Sequence, residues 1–169
     1  MHLILKFFQF IFLAIYCLSA SANTSDYIFK HLTLEDGLPS LEILQTFQQS
    51  NGFIWFSTSR GAIRYDGYSF RHFYFSPSST DHISNNFVNK IAEDKSGNLW
   101  LATEDGLNRI NIDGSIDIFK KDDGLPSSWI LTLFIDSKNR LWISTGEGLV
   151  LYKPDNQIFQ KITAATDNK

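Results

Sequence analysis

One short pattern occurs three times in this chain, each time around a tryptophan. Trp55, Trp100 and Trp142 are separated by 45 and 42 residues, and each is followed by Thr at the third position and Gly at the sixth. Seventeen positions before each tryptophan stands an apolar residue, and two positions earlier an aspartate: Leu38, Ile83 and Leu125, with Asp36, Asp81 and Asp123. A register kept over this distance in three copies predicts an internal structural repeat.

Each repeat is predicted to fold into four short antiparallel strands. β-Branched and apolar residues predict first strands at 43–47, 88–92 and 130–134, third strands at 62–65, 107–110 and 149–152, and fourth strands at 70–73, 116–119 and 158–162. The second strand carries the tryptophan and is apolar at consecutive positions, which indicates burial on both faces. A tight turn ending in Gly or Asn precedes it, and a Thr-to-Gly turn follows it.

Four-stranded units of this period are typical of β-propeller blades, so the sequence predicts an all-β fold with three blades. The predicted blades occupy residues 35–75, 76–122 and 123–163, followed by a tail at 164–169. Residues 23–34 contain a further copy of the fourth strand, which we interpret as an orphan outer strand that closes a ring. Three blades leave two apolar faces uncovered, so we expect a partial propeller from a longer protein. A three-blade protein that assembles into a ring is the alternative.

Residues 1–22 have the organisation of a signal peptide. Lys6 gives a positive n-region, residues 7–18 are almost continuously apolar, and Ala20 to Ala22 places small residues at a cleavage site. The apolar core is shorter than the about 20 residues of a transmembrane helix. We therefore expect export, with an uncleaved anchor as the alternative.

Composition excludes several classes of function. The net charge is −3, with 15 Lys and Arg against 18 Asp and Glu, so the chain has no basic excess that would attract nucleic acid. The single cysteine, Cys17, can form neither an internal disulfide nor a zinc cluster. The sequence has no metal-ligand pattern, no nucleophile motif and no phosphate-binding glycine loop. We predict no cofactor, no metal and no catalytic residue in this chain.

A ligand is expected at the loops of one face. Strand direction places the Thr-to-Gly hairpins and the loops between blades at one end, the upper face, and the turns after the first strands at the lower face. Loops at the mouth of a rigid propeller are suited to recognition. The candidate ligand-binding residues there vary between repeats: Arg60, His82, Glu104, Asp105, Trp129 and Glu147. Solvated hairpin tips are the alternative for each, and blade packing is the alternative to sugar stacking for Trp129.

Several segments resemble the two-component regulator propeller repeat. They are Asp36 to Ser40, Gly97 to Thr103, Gly124 to Ser127 and Asp136 to Tyr152. The last segment matches the pattern of the repeat especially well, with a turn followed in order by Leu-Trp-Ile, Thr, Gly-Leu and Tyr. The first repeat departs from the pattern at Gln49, where the turn aspartate is expected, and at Ala62, where Leu is usual. The resemblance covers about residues 27–162. It implies the sensor region of a bacterial membrane protein whose output is a histidine kinase or a diguanylate cyclase.

The resemblance implies that this chain senses a ligand and is not itself an enzyme. We expect a periplasmic location, with the full-length protein anchored in the inner membrane. The expected partners are an extracellular small molecule or glycan fragment, the rest of the propeller and the downstream signalling domains, with a homodimer of the full-length protein as a possible assembly. The alternatives are a secreted propeller enzyme, such as a polysaccharide lyase or hydrolase, and an adhesive or structural module.

Overall fold

The computed structural model describes residues 29–79, 82–154 and 156–163. The predicted signal peptide, the predicted tail and residues 23–28 of the predicted orphan strand lie outside the described residues. The chain divides into two compact units, residues 1–31 and 32–169, and every strand found among the described residues belongs to the second. Within the described residues 29–34 there is no β-strand, so the ring-closing role of this segment stays a prediction.

The fold consists of three sheets of four antiparallel strands, each in simple up-and-down order. Blade 1 contains β1 (Ile43–Gln48), β2 (Ile54–Thr58), β3 (Gly61–Tyr65) and β4 (Phe70–Phe73). Blade 2 contains β5 (Val88–Glu93), β6 (Leu99–Thr103), β7 (Gly106–Ile110) and β8 (Ile116–Phe119). Blade 3 contains β9 (Ile130–Ile135), β10 (Leu141–Thr145), β11 (Gly148–Lys153) and β12 (Ile158–Lys161). The predicted all-β fold of propeller blades is confirmed, and the predicted strand limits agree within one residue.

The Thr-to-Gly hairpin has the same geometry in every blade. The hydroxyl groups of Thr58, Thr103 and Thr145 donate hydrogen bonds to the carbonyl oxygens of the paired glycines at 2.8, 2.7 and 2.9 Å. These glycines, at positions 61, 106 and 148, have φ values of 117°, 136° and 124°. Only glycine adopts this region without steric cost, which explains why it closes each hairpin.

The first strand of each blade contains a β-bulge that the repeat pattern does not reveal. The register shifts after Ile43, Val88 and Ile130, so that Leu44, Asn89 and Leu131 are extra residues opposite their partner strands. A bulge bends its strand and increases the local twist. The bulged residue of blade 2 also links two blades, because the Asn89 side-chain amide donates to the Ile130 carbonyl at 2.8 Å.

A single turn of 3-10 helix at Lys121–Asp123 interrupts the loop between blades 2 and 3. The Asp123 carboxylate accepts a hydrogen bond from the Lys120 backbone N–H at 2.8 Å, and Gly124 follows with φ 97°. Such a turn is favoured by an aspartate that bonds to the preceding backbone N–H and by a glycine with positive φ. It needs no extended helical pattern in the sequence.

Apolar side chains between neighbouring blades form two buried clusters. Trp55 and Phe73 of blade 1 belong to the first cluster together with residues of blade 2, and Trp100 and Phe119 belong to the second together with residues of blade 3. All five residues of β6 are buried, since blade 2 has a neighbour on each side. β2 and β10 keep partly exposed positions, so the predicted burial on both faces is complete only in β6. The reason is that blades 1 and 3 have one neighbouring blade each among the described residues.

Polar groups also link the blades. The Gln45 side chain bonds to both backbone groups of Ile91, through its oxygen at 2.7 Å and its nitrogen at 3.1 Å. Asn108, fully buried in β7, accepts from the Ser84 backbone N–H at 2.8 Å and donates to the Ser84 hydroxyl at 2.9 Å. The Gln45 contacts therefore join blade 1 to blade 2, whereas the Asn108 contacts fix the loop before blade 2 against the sheet of that blade.

Candidate functional site

The upper face is formed by the Thr-to-Gly hairpins and the loops that connect the blades. The Gly61 N–H donates to the Asn86 carbonyl at 2.6 Å, and the Gly106 N–H donates to the Ser128 carbonyl at 2.7 Å. Each of these hydrogen bonds joins a hairpin to the loop that follows its blade. The predicted grouping of hairpins and inter-blade loops on one face is therefore present in the structure.

Two of the predicted carboxylates pair with lysines of the loop between blades 2 and 3. The Asp105 Oδ2 atom lies 2.6 Å from Lys120 Nζ, and the Glu147 Oε1 atom lies 2.7 Å from Lys121 Nζ. The hydrogen bond from Lys121, followed by its charge, holds the pKa of the Glu147 carboxyl below its usual value. All four side chains are exposed by 41–57%, so the two pairs orient this loop more than they stabilise the fold.

Trp129 lies against the hairpin of blade 3, next to Gly146. Its carbonyl accepts a hydrogen bond from the Gly146 N–H at 3.0 Å. Its indole covers Gly146 so closely that a Cβ atom at this position would lie 3.1 Å from the ring. The residue nevertheless remains 52% exposed. Trp129 therefore packs on its own blade with part of its surface and leaves the rest free for stacking.

The other three candidates have different local settings. Arg60 and Glu104 are exposed at the tips of the hairpins of blades 1 and 2. His82 lies in the loop before blade 2, where its ring Nδ1–H donates to the Ile83 carbonyl at 2.8 Å. The same ring meets Phe75 edge-on, at 5.2 Å between ring centroids. The structure thus brings Asp105, Trp129 and Glu147 together at one loop. Among the described residues, Arg60, Glu104 and His82 make their hydrogen bonds elsewhere, with Thr58, Phe87 and Ile83.

Lys120 and Lys121 belong to this site, although the sequence analysis did not select them. The equivalent positions after β4 of blade 1 are Tyr74 and Phe75, so these positions also vary between repeats. The other candidates were selected because they vary between repeats. The same criterion, used for the residues that follow the fourth strands, selects both lysines.

Cavities between the blades open at the lower face. A cleft of ≈ 340 Å³ lies between blades 1 and 2, and a smaller one of ≈ 140 Å³ lies between blades 2 and 3. Arg64 and Arg71 line the first cleft, and Arg109 lines the second. The sequence analysis placed no candidate residue on this face.

Two properties of the described part of the chain concern membranes and metals. None of its helices has the length and apolarity needed to cross a bilayer. None of its His, Cys, Asp and Glu side chains form a group of three or more that could hold a metal ion.

Three stacked antiparallel sheets with loops gathered at one end define part of a β-propeller. Residues 82–105 and 124–147 match the family model described as two component regulator propeller. The match lies in blades 2 and 3, and it confirms the resemblance seen in the sequence. No curated protein matches the chain.

Solved structures extend this comparison. The extracellular domain of a proposed hybrid two-component system, BT3049 of B. thetaiotaomicron, is 26% identical over 83% of this chain, with a TM-score of 0.74. This chain covers 21% of that domain, about a fifth of its length. A catalytically inactive virginiamycin B lyase of Staphylococcus aureus is 21% identical with a TM-score of 0.60, and the coverage is 86% of this chain and 48% of the lyase. PorZ of Porphyromonas gingivalis, a surface component of the type-IX secretion system, is 15% identical with a TM-score of 0.57, covering 78% of this chain and 22% of PorZ. The last two similarities concern the fold alone.

Proposed function

We propose that this chain is the ligand-sensing propeller region of a bacterial membrane signalling protein of the two-component type. The similarity to the extracellular domain of a hybrid two-component system, at 26% identity and a TM-score of 0.74, is the observation that carries this proposal. The signal-peptide pattern at residues 1–22 supports a periplasmic location. The region binds and does not catalyse, and the full-length protein is anchored in the inner membrane and carries the output domain.

The ligand of this region is a small molecule of the glycan type. Trp129 is 52% exposed, and a sugar ring stacks on an exposed indole through its C–H groups. The surrounding carboxylates and ammonium groups of Asp105, Lys120, Lys121 and Glu147 can exchange hydrogen bonds with hydroxyl groups. Because these charges are already paired, the surface favours a neutral polar ligand over a strongly charged one.

The proposal is tested with the full-length protein and a panel of soluble oligosaccharides. Binding is measured by calorimetry, and signalling is measured as transcription or second-messenger output in cells. Trp129→Ala is expected to weaken binding of the active oligosaccharide about two- to tenfold, the range of an aromatic stacking contribution. Lys138→Gln, on an exposed turn of the lower face, is the matched surface control and should leave binding unchanged.

Three outcomes would contradict the proposal in different ways. Absence of binding across the whole panel would reject the glycan ligand. Binding that is unaffected by Trp129→Ala would reject the upper-face site. Release of shortened oligosaccharides by the purified protein would favour the alternative of a secreted lyase or hydrolase.

A further inference from the structure

Gly146 lacks the conformational reason that explains the glycines at the ends of the hairpins. Its φ angle lies outside the left-handed region, in contrast to Gly148 two positions later, which has φ 124°. The equivalent positions of blades 1 and 2 carry Ser59 and Glu104, so the hairpin backbone accepts a side chain at this point. Glycine also loses more conformational freedom on folding than any other residue. The absence of a side chain at Gly146 therefore requires another explanation.

The neighbouring side chain of Trp129 gives this explanation. A Cβ atom on Gly146 would lie 3.1 Å from Trp129 Cε3 and 3.8 Å from Cδ2 of the same indole, with the Ser127 hydroxyl oxygen at 3.5 Å. Carbon atoms in contact prefer separations of about 3.5–4.0 Å. A side chain at position 146 would thus displace the indole by a few tenths of an ångström. Because these three nearest atoms all belong to side chains, the hairpin itself would not have to move.

Two hydrogen bonds fix the backbone of Trp129 in the same place. Its N–H donates to the Ser127 hydroxyl at 3.2 Å, and its carbonyl accepts from the Gly146 N–H at 3.0 Å. The indole is therefore held against the hairpin although the residue is 52% exposed. Binding to a side chain that is already held in place costs less conformational entropy than binding to a mobile one.

Blades 1 and 2 keep the hairpin but carry different side chains at these two positions. In blade 2 the Glu104 N–H donates to the Phe87 carbonyl at 3.3 Å, the same backbone bond that joins the hairpin of blade 3 to its loop. In blade 1 the Ser59 hydroxyl donates to the Glu42 carboxylate at 3.4 Å. Of these three blades, only blade 3 combines a glycine at this hairpin position with a tryptophan before its first strand.

We infer that Gly146 is a positioning residue for Trp129. Because Gly146 has no side chain, the indole lies against the hairpin as a fixed platform, on which one pyranose ring stacks with its C–H groups. The choice of a sugar ring rests on the proposed function, whereas the position of the indole rests on its contact with Gly146. Glycine at this position thus makes blade 3 the stacking blade of the upper face.

The position of the indole is tested by NMR on the full chain without ligand. We expect a nuclear Overhauser effect between the Gly146 Hα protons and the Trp129 Hε3 proton. The order parameter of the Trp129 indole N–H should be close to that of rigid backbone, about 0.85. Gly146→Ser should lower this order parameter, because the displaced ring loses its contact with the hairpin. The indole N–H signal of the buried Trp100 should stay unchanged, which shows that the fold is intact.

Ser59→Ala is the matched control, since Ser59 occupies the equivalent hairpin position in blade 1. This substitution should leave the order parameter of the Trp129 indole unchanged. A mobile Trp129 indole in the unmodified chain would overturn the inference. Equal order parameters in the unmodified chain and in Gly146→Ser would also overturn it.

The consequence for binding is measured by calorimetry with the full-length protein and the oligosaccharide panel. Gly146→Ser is expected to raise the Kd of the active oligosaccharide about two- to fivefold, which is part of the effect of Trp129→Ala. In the Trp129→Ala background the same substitution should have no further effect, because both variants act through one contact. Additive effects of the two substitutions would overturn the positioning role. If no oligosaccharide binds, the proposed function fails, and the NMR comparison alone decides the role of Gly146.

Discussion

The indole Nε1–H of Trp55 donates a hydrogen bond to the side-chain oxygen of Gln49 at 2.9 Å. In the other blades the same indole position donates to Asp94 at 2.9 Å and to Asp136 at 3.0 Å. Gln49 departs from the repeat in residue type, but it makes the same contact as the aspartates. The first turn of each blade therefore anchors its tryptophan at the lower face, and either an amide oxygen or a carboxylate oxygen serves as the acceptor.

Removal of this acceptor in the central blade is expected to destabilise the fold. Trp100 is 2% exposed, so Asp94→Ala leaves its buried N–H without a partner and should lower the free energy of unfolding by about 1–3 kcal/mol. Urea denaturation followed by tryptophan fluorescence measures the change. Asp113→Ala, which removes an exposed turn aspartate, is the control and should have a smaller effect. Equal losses in the two variants would contradict this role of Asp94.

Alanine substitutions at two glycines of blade 1 distinguish the effect of a steric collision from that of backbone strain. Gly61 and Gly67 both have positive φ, at 117° and 100°. A Cβ atom at Gly61 would collide with the Phe73 carbonyl oxygen, whereas one at Gly67 would meet nothing within 4 Å. Gly67→Ala should therefore cost only the left-handed penalty of about 1–2 kcal/mol. Gly61→Ala should lower the free energy of unfolding by clearly more. Thermal unfolding of both variants measures the difference, and a higher melting temperature for Gly61→Ala than for Gly67→Ala would contradict this prediction.

Asn108 is expected to be the most sensitive buried polar position of blade 2. It is fully buried, and its side chain bonds both the backbone N–H and the hydroxyl of Ser84. Asn108→Ala leaves the Ser84 N–H buried without an acceptor, so a loss of about 1–3 kcal/mol is expected. Hydrogen exchange of the Ser84 amide should accelerate in the variant. Unchanged exchange would mean that the loop before blade 2 is held by other contacts.

Stability in acid should depend on Asp117. Hydrogen bonding from Asn111, together with the hydrogen bond and charge of Arg109, holds the pKa of the Asp117 carboxyl below its usual value of 3.8. A lowered pKa in the folded state means that the stabilisation is complete above pH 3.8 and is lost as the pH falls through the folded-state pKa. Asp117→Asn should therefore flatten the decline of unfolding free energy in this acidic range. An unchanged slope in the Asp117→Asn variant would contradict the assignment.

The sequence predicts the fold well because the information lies in a strict period. Trp, Thr and Gly recur at fixed offsets, and the buried Leu38, Ile83 and Leu125 mark the start of each copy. The bulges are not predictable in this way, because no single residue type occupies the extra position in all three copies, and its location depends on pairing with the second strand.

The candidate sites are only partly predictable for a similar reason. The sequence places Asp105, Trp129 and Glu147 on one face, since strand direction alone decides the face of a hairpin. It does not reveal that Lys120 and Lys121 pair with these carboxylates, because that depends on how a loop folds across a hairpin. The contact between Trp129 and Gly146 likewise depends on how the loop before blade 3 folds against its hairpin.

Trp142 should contribute less to stability than Trp100, although the two occupy the same position in their blades. Along β10, buried positions alternate with partly exposed ones, and Trp142 is one of the partly exposed residues. Trp100 instead packs against blade 3, with its ring 5.0 Å from that of Tyr152. Since burial of apolar area determines most of the cost of truncating a large side chain, Trp100→Phe should destabilise the chain by at least about 1 kcal/mol more than Trp142→Phe.

The two variants also provide a fluorescence test, because each removes one emitting indole. Loss of Trp142 should reduce quenching of the remaining emission by acrylamide, whereas loss of the buried Trp100 should increase the quenched fraction. Equal destabilisation together with equal quenching would mean that the face of blade 3 bearing Trp142 is covered in solution. In that case the covering surface must supply the apolar contacts that blade 3 supplies to Trp100.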